Sequence, residues 1–184
     1  MAMAARCFMQ RAKISSLVFW AALSVIGTGC SKMNENGHEK AAVMAVGQAR
    51  GKTKEVSSQI YDMIGVREGK VTPAGPGVSE CREDPKRMYS MRHTWSVYDV
   101  PMGELSRGFE TLKQRLPSHG WKILKDGPND SPAKTPELIA DSTKEQFTAN
   151  IALIGPGSGK PGIMVTLVSA CFRLPEGADL HGEY

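Results

Sequence analysis

The sequence predicts an α+β domain in which two helices pack on one face of a four- to five-stranded antiparallel sheet, as a two-layer sandwich. Residues 42–64 and 102–116 each repeat apolar side chains at three- or four-residue steps, which is the spacing of one helix face. Later segments alternate apolar and polar residues or are rich in β-branched residues, as strands are. The connections between the last four strands are too short to hold a helix, so these strands are expected to be antiparallel neighbours.

Residues 1–29 have the layout of a secretory signal peptide. Three basic side chains precede an uncharged, mostly apolar run from Ile14 to Ile26, and the small residues Gly27 and Gly29 follow it. The alternative is an uncleaved signal anchor. The run is shorter than the ~20 apolar residues that cross a bilayer, which favours the cleaved signal.

Cys30 directly follows this segment, where a lipid can be attached. The sequence before it resembles a bacterial lipobox, in which a diacylglyceryl group is added to the cysteine thiol, although Gly27 stands where leucine is usual. Two acyl chains hold a protein on a membrane. We therefore predict a lipid anchor at Cys30, a flexible tether over residues 30–40 and a single α+β domain over residues 41–184, at the extracytoplasmic face of the cell membrane.

The helices of that domain are bounded by residues that favour helix ends. Gly65 follows the first helix and can form its C-terminal cap. Pro101 precedes the second helix, and Pro117 and Gly120 follow it. Strands are expected at 89–100, 121–125, 137–142, 147–154 and 163–174, the last of them central, with a short edge strand near 78–81.

Charge and cysteine content limit the partners. Residues 30–184 hold 20 basic and 19 acidic side chains, so no basic surface for nucleic acid is expected. Cys7 leaves with the signal and Cys30 is acylated, which leaves Cys81 and Cys171 to form a disulfide in an oxidising compartment. The alternatives are metal ligation or a reactive thiol, but neither cysteine has a CxxC partner or a histidine at ligand spacing.

The motifs that carry chemistry in other proteins are incomplete here. The run Gly155–Gly162 contains Gly-Lys, but Pro161 follows the lysine where a P-loop has Ser or Thr, so we predict a hairpin loop. The histidines occur without HxH or HExxH spacing, at His38, His93, His119 and His181. No cofactor and no metal is predicted.

One strand brings three side chains to the same face. Tyr89, His93 and Trp95 share a parity on the strand 89–100. If that face is exposed, it forms an aromatic binding platform. If a helix covers it, the three side chains belong to the core, which is the usual place for large aromatic residues.

The chain resembles the uncharacterised secreted lipoproteins of actinobacteria. The resemblance rests on the signal that ends at Cys30, on the helix Leu105–Leu116 followed by His119-Gly120-Trp121, and on the segment from Ser169 to Arg173. It implies an extracytoplasmic location and a small α+β fold, and it does not indicate a substrate.

Two functions follow as alternatives. The first is a non-enzymatic module that binds a protein or a cell-envelope ligand. The second is a small secreted, hydrolase-like enzyme whose site combines His93 or His119 with a loop carboxylate. A cleft lined by one of these histidines and a carboxylate would favour the enzyme, whereas a closed, well-packed sheet face would favour binding.

Overall fold

The structure is a computed structural model that describes residues 41–181 and 183. Within these residues it contains two α-helices, α1 (Val46–Ile64) and α2 (Met102–Arg115), two 3-10 helices (Pro117–His119 and Pro156–Ser158) and one antiparallel sheet of eight strands. The predicted α+β class is confirmed. The strands in chain order are β1 (Lys70–Val71), β2 (Gly77–Glu80), β3 (Met88–Tyr98), β4 (Lys122–Pro128), β5 (Pro136–Ser142), β6 (Phe147–Ile154), β7 (Gly162–Ser169) and β8 (Phe172–Arg173).

The prediction of four or five strands was wrong, because the described part of the chain forms eight. The difference arises around β3, whose 11 residues extend beyond each of its partners. On one side β3 pairs with β7 and then β8, and on the other with β1 and β2. The short edge strand predicted near 78–81 forms as β2, whereas β1 and β8 have only two residues each, too few to show an alternating pattern, and depend on the hydrogen-bonding groups that β3 offers.

The sheet has the strand order β1-β3-β7-β6-β5-β4. The last four long strands are consecutive antiparallel neighbours, as predicted. Helix α2 connects β3 to β4, which lies at the far edge. The predicted strand 163–174 is interior but not continuous, since Ala170 and Cys171 separate β7 from β8.

Helix α1 ends where the sequence predicts and begins later. Gly65 has φ 73°, and its N–H donates to the Tyr61 carbonyl at 3.2 Å. The start is Val46 rather than residue 42, because the preceding residues are drawn to the sheet. Met44 N–H donates to the Arg173 carbonyl at 2.9 Å, and Arg173 N–H donates to the Ala42 carbonyl at 2.9 Å.

Both helices cover the same face of the sheet and bury its apolar side chains. This core joins α1 and α2 to β3 and β5–β7, and it includes Ile60, Leu105, Phe109, Trp95, Leu138, Ile151 and Val165. Polar pairs occupy the other face, including the Thr94 and Thr166 hydroxyls at 3.2 Å and the Lys125–Glu137 ion pair at 2.8 Å. The two layers therefore form as predicted.

A smaller core fastens the two ends of the domain beside β8. Tyr89 is fully buried against Phe172, and its hydroxyl donates to the Met44 carbonyl at 2.8 Å. Burial raises the pKa of Tyr89 to about 12. Arg87 donates to carbonyls of the C-terminal segment, including that of Ala178 at 3.1 Å. The segment that precedes α1 is thus held by the start of β3, and residues 174–178 are held by Arg87, which directly precedes that strand.

The predicted disulfide is present. Cys81 and Cys171 are bonded, with their Cα atoms 6.2 Å apart, within the usual range for disulfides. The bond ties the residue after β2 to the break between β7 and β8.

No helix in residues 41–181 is long and apolar enough to cross a bilayer.

Candidate functional site

Helix α1 covers the face on which Tyr89, His93 and Trp95 lie, so the three side chains do not form an exposed platform. All three are buried. Tyr89 lies in the smaller core beside Phe172, apart from the other two. His93 and Trp95 face α1 together and line a cavity.

This cavity lies between α1 and the loop of residues 71–76, and we call it the loop cavity. Its volume is about 400 Å³ and its lining is mostly apolar. Small-molecule sites are commonly of this size and character, with a few polar groups that orient the ligand. The residues that matter below are Lys54, Ser57, Tyr61, Pro73, His93 and Trp95.

His93 links the helix, the strand and the loop. Its Nε2 lies 2.8 Å from the Ala74 carbonyl oxygen, and its Nδ1 lies 2.8 Å from Ser57 Oγ. A carbonyl oxygen can only accept, so Nε2 carries a proton and donates it to Ala74. In the neutral ring Nδ1 is then the acceptor, and the Ser57 hydroxyl donates to it. The tautomer of His93 is set by the loop that forms the cavity wall.

The aromatic side of the cavity is formed by Tyr61 and Trp95. Their ring centroids are 6.2 Å apart with an edge-to-face orientation of 65°. Trp95 is only 3% exposed, and its indole N–H has no hydrogen-bond partner in the part of the chain that the structure describes. A buried donor without an acceptor costs about 1–3 kcal/mol, so this position needs an explanation beyond packing.

Lys54 supplies the charge at the cavity. It is exposed on α1, and no Asp, Glu, Arg or other Lys occurs among the described residues that line the cavity. The positions three and four residues away on the helix hold Arg50, Gly51, Ser57 and Ser58. No carboxylate therefore lies at the spacing at which helix side chains meet.

Besides His93, the other histidine considered for catalysis lies elsewhere. His119 is exposed, and its Nδ1 lies 2.9 Å from the Arg115 carbonyl oxygen. It shares a surface depression of about 260 Å³ with Asp62, a helix carboxylate rather than a loop one. The structure records no hydrogen bond or ion pair between His119 and Asp62 within residues 41–181. The hydroxyl nearest the His119 ring is that of Ser118, whose Oγ lies 3.2 Å from Nδ1 but donates to the Arg115 carbonyl at 2.8 Å.

A larger depression of about 540 Å³ lies between the end of α1 and α2. Its charged side chains are mostly exposed and of both signs, including Arg67, Glu68 and Arg107. It lacks the apolar lining of the loop cavity, so it has less to offer an organic ligand.

The Gly-rich run lies in a hairpin, as predicted. It connects antiparallel β6 and β7. Lys160 is held at the far end of the sheet, with Nζ 2.7 Å from Asp99 and 4.2 Å from the centroid of the Tyr98 ring. The lysine therefore contacts protein groups of its own chain.

Cys81 and Cys171 form no metal centre. Cys81, Cys171 and Glu83 are close enough to share an ion, but the two sulfur atoms are bonded to each other. Thiolates are the metal-ligating form of cysteine, and a disulfide has none. Cys30, the predicted signal and the residues of the tether before 41 lie outside the described residues.

Ser57 is the site residue that sequence reasoning missed. It is 5% exposed on the buried side of α1, directly after Val56 of the apolar stripe. A hydroxyl on that side needs a partner, which is the signal that the sequence contains. Its partner is 36 positions away, so the contact depends on how α1 lies across β3.

No protein-family model, no curated protein and no solved structure matches the chain.

Proposed function

We propose that this chain is a lipid-anchored binding protein of the extracytoplasmic membrane face and that the loop cavity holds its ligand, a small molecule of the cell envelope. The observation that carries the proposal is the unpaired indole N–H of Trp95 in the wall of a mostly apolar cavity. That nitrogen is itself buried in this structure, so a bound acceptor would offset the cost of the donor only once a neighbouring side chain shifts to open a path to it. Nucleic acid is not the proposed partner.

The preorganised wall of the loop cavity supports a binding role. The Ala74 carbonyl is fixed by His93, and Thr72 is fixed by β3, since its N–H donates to the Ser96 carbonyl at 3.1 Å. Its hydroxyl also accepts from Ser96 N–H at 3.0 Å. A wall held in place before the ligand arrives loses less conformational entropy on binding.

Two further features support the location. The segment before Cys30 has the composition of a lipoprotein signal. The Cys81–Cys171 disulfide agrees with an oxidising compartment, because disulfides are rare in reducing ones.

The binding role is tested by blocking the loop cavity. Ser58 is exposed on α1 and lines the cavity, whereas Gln59 is exposed on α1 outside it. Small molecules are extracted from the protein purified from its producing cells and identified by mass spectrometry. We expect a compound with the wild type and with Gln59→Trp that is missing from Ser58→Trp. A compound retained equally by both variants would place the ligand elsewhere.

The lipid anchor is tested by replacing the cysteine whose thiol would be acylated. We expect Cys30→Ala to release the protein into the medium or to abolish its processing, while the wild type fractionates with membranes. Equal membrane partitioning of the two forms would contradict the lipid anchor.

A serine hydrolase is the second candidate, and the Ser57–His93 hydrogen bond is the observation that favours it. A serine hydroxyl that donates to a histidine is the usual form of an activated nucleophile. Ser57 Oγ would attack an ester carbonyl as its proton passes to His93, the alcohol would leave with that proton, and water would release the acyl group. The described lining offers no carboxylate to stabilise the imidazolium, so binding is supported better. Labelling of Ser57 by a fluorophosphonate would favour the hydrolase.

A further inference from the structure

We propose that the ligand of the loop cavity is an organic monoanion with a compact apolar ring system, its rings lying against Tyr61 and Trp95 and its charge at Lys54. This inference rests on the proposed function and names the ligand class.

The negative charge of the proposed ligand is inferred from Lys54, whose ammonium group lacks an ion-pair partner among the described residues. The other lysine in this part of α1, Lys52, is bound to the protein: its Nζ lies 3.8 Å from Glu145 and 6.0 Å from the centroid of the Phe147 ring. Lys54 has no such partner among residues 41–181 and 183, and it stands beside an apolar cavity without a carboxylate in its described lining. A cation next to a low-dielectric cavity attracts an anion more strongly than one surrounded by water.

The apolar ring system of the proposed ligand is inferred from the side chains that line the loop cavity. Tyr61 and Trp95 present aromatic surface on one side, and Pro73 and Pro76 present rigid apolar rings from the loop. Aromatic side chains hold flat ring systems by stacked or edge-on contacts. A volume of about 400 Å³ is near the lower end of the range for small-molecule pockets, so a compact ring system fits better than a long lipid chain.

The arrangement favours a single charge at one end of the ligand. Lys54 is exposed, so the anionic group can keep part of its hydration at the rim. Ser57 and His93 are already bonded to each other inside the cavity. A second charge deeper in the cavity would be desolvated without a counter-ion, which is costly.

The test uses 2-naphthoate and its neutral isostere 2-naphthamide. Each is titrated calorimetrically into protein that has been isolated from its producing cells and freed of co-purified small molecules by exhaustive dialysis, and the same detergent buffer alone serves as the blank. We expect saturable binding of both, with naphthoate bound about fivefold more tightly, the scale of an ion pair at a partly exposed site. Lys54→Met should remove this preference, so that the two probes bind with similar affinity.

Lys144→Met is the matched control. Lys144 is 84% exposed and contacts Glu145 rather than the loop cavity, so its loss should leave the preference intact. Since Lys54 is exposed, its replacement does not endanger the fold, and an unchanged melting temperature verifies this.

Three results would overturn the inference. If both probes bind with equal affinity to the wild type, the anion preference is wrong while the cavity remains a binding site. If the preference for naphthoate persists in Lys54→Met, a residue other than Lys54 binds the carboxylate of the ligand. If neither probe binds, the ligand class is wrong, and the extraction from Ser58→Trp and Gln59→Trp decides separately whether the cavity holds any ligand.

Discussion

The Ser57 hydroxyl and the His93 ring are joined by a 2.8 Å hydrogen bond between the buried side of α1 and the middle of β3. The same ring binds the Ala74 carbonyl through its other nitrogen. One histidine therefore fixes the position of the helix, the strand and the loop that together enclose the loop cavity.

Ser57→Ala should lower the free energy of unfolding by about 1–3 kcal/mol, because it leaves His93 Nδ1 buried without a partner. Denaturant unfolding followed by circular dichroism measures the change. Ser58→Ala is the control: its exposed hydroxyl donates only to the Lys54 carbonyl of its own helix, so its effect should stay within about 0.5 kcal/mol. Equal effects of the two variants would mean that the buried hydrogen bond contributes nothing to stability.

The contact between α2 and the end of α1 requires a residue without a side chain at Gly108. A Cβ there would lie 2.8 Å from Val66 Cγ2 and 3.0 Å from Ile64 Cγ2, and both neighbours are buried. We expect Gly108→Ala to destabilise the protein by about 1 kcal/mol, since overpacking outweighs the gain in helix propensity.

Gly103→Ala on the same helix provides the opposite case. Its Cβ would meet nothing nearer than Arg107 Nη1 at 3.9 Å. At this position no steric clash opposes the gain in helix propensity, so Gly103→Ala should raise the free energy of unfolding by up to about 1 kcal/mol. Thermal unfolding of both variants gives the signs, and a stabilising Gly108→Ala would show that the two helices are not in close contact.

Removal of the disulfide should lower stability by about 2–5 kcal/mol, as expected for a bond that closes a loop spanning 90 positions. The double variant Cys81→Ala/Cys171→Ala is compared with the wild type by denaturant unfolding. A reducing agent should lower the stability of the wild type and leave the double variant unchanged. If reduction does not alter the wild type, the two cysteines are not bonded in the isolated protein.

Asp99 should contribute stability at neutral pH that disappears in acid. Lys160, followed by Lys70, holds the pKa of Asp99 below its ordinary value of 3.8. Because the folded-state pKa is the lower one, the contribution is complete above the ordinary value and is lost as the pH falls through the lowered one. Asp99→Asn keeps a residue that tolerates the observed φ of 60°.

Melting temperatures of the wild type and Asp99→Asn decide this. The wild type should melt higher at pH 7, and the difference should shrink as the pH falls below 3.8. A difference that stays the same at pH 2 would show that the carboxylate charge is not its source.

The sequence predicted well those elements whose ends are marked by residues within the element or directly beside it. Helix α2 was predicted within one residue of its end, because Pro101 and the stripe that ends at Leu116 mark it locally. The start of α1 was misplaced, because Ala42 and Met44 are held by Arg173 from the other end of the chain. Local propensity contains no information on such a contact.

The candidate site was only partly predictable for the same reason. The shared parity of His93 and Trp95 placed both on one face. The position at which α1 crosses β3 decides whether that face is covered and brings Ser57 to the His93 ring. The path of the loop brings the Ala74 carbonyl to the same ring. These relationships are tertiary and leave little trace in the spacing of residues.

The most direct test of the ligand site follows the indole N–H resonances of Trp95 and Trp121 by NMR. A small-molecule extract of the cell envelope is added to ¹⁵N-labelled protein that has been freed of co-purified small molecules by exhaustive dialysis, and Trp95→Phe assigns the signals. Trp121 is also buried but lies outside the lining of the loop cavity. We predict that the Trp95 resonance shifts and the Trp121 resonance does not. An unmoved Trp95 resonance, with shifts confined to residues outside the cavity, would contradict the proposed site.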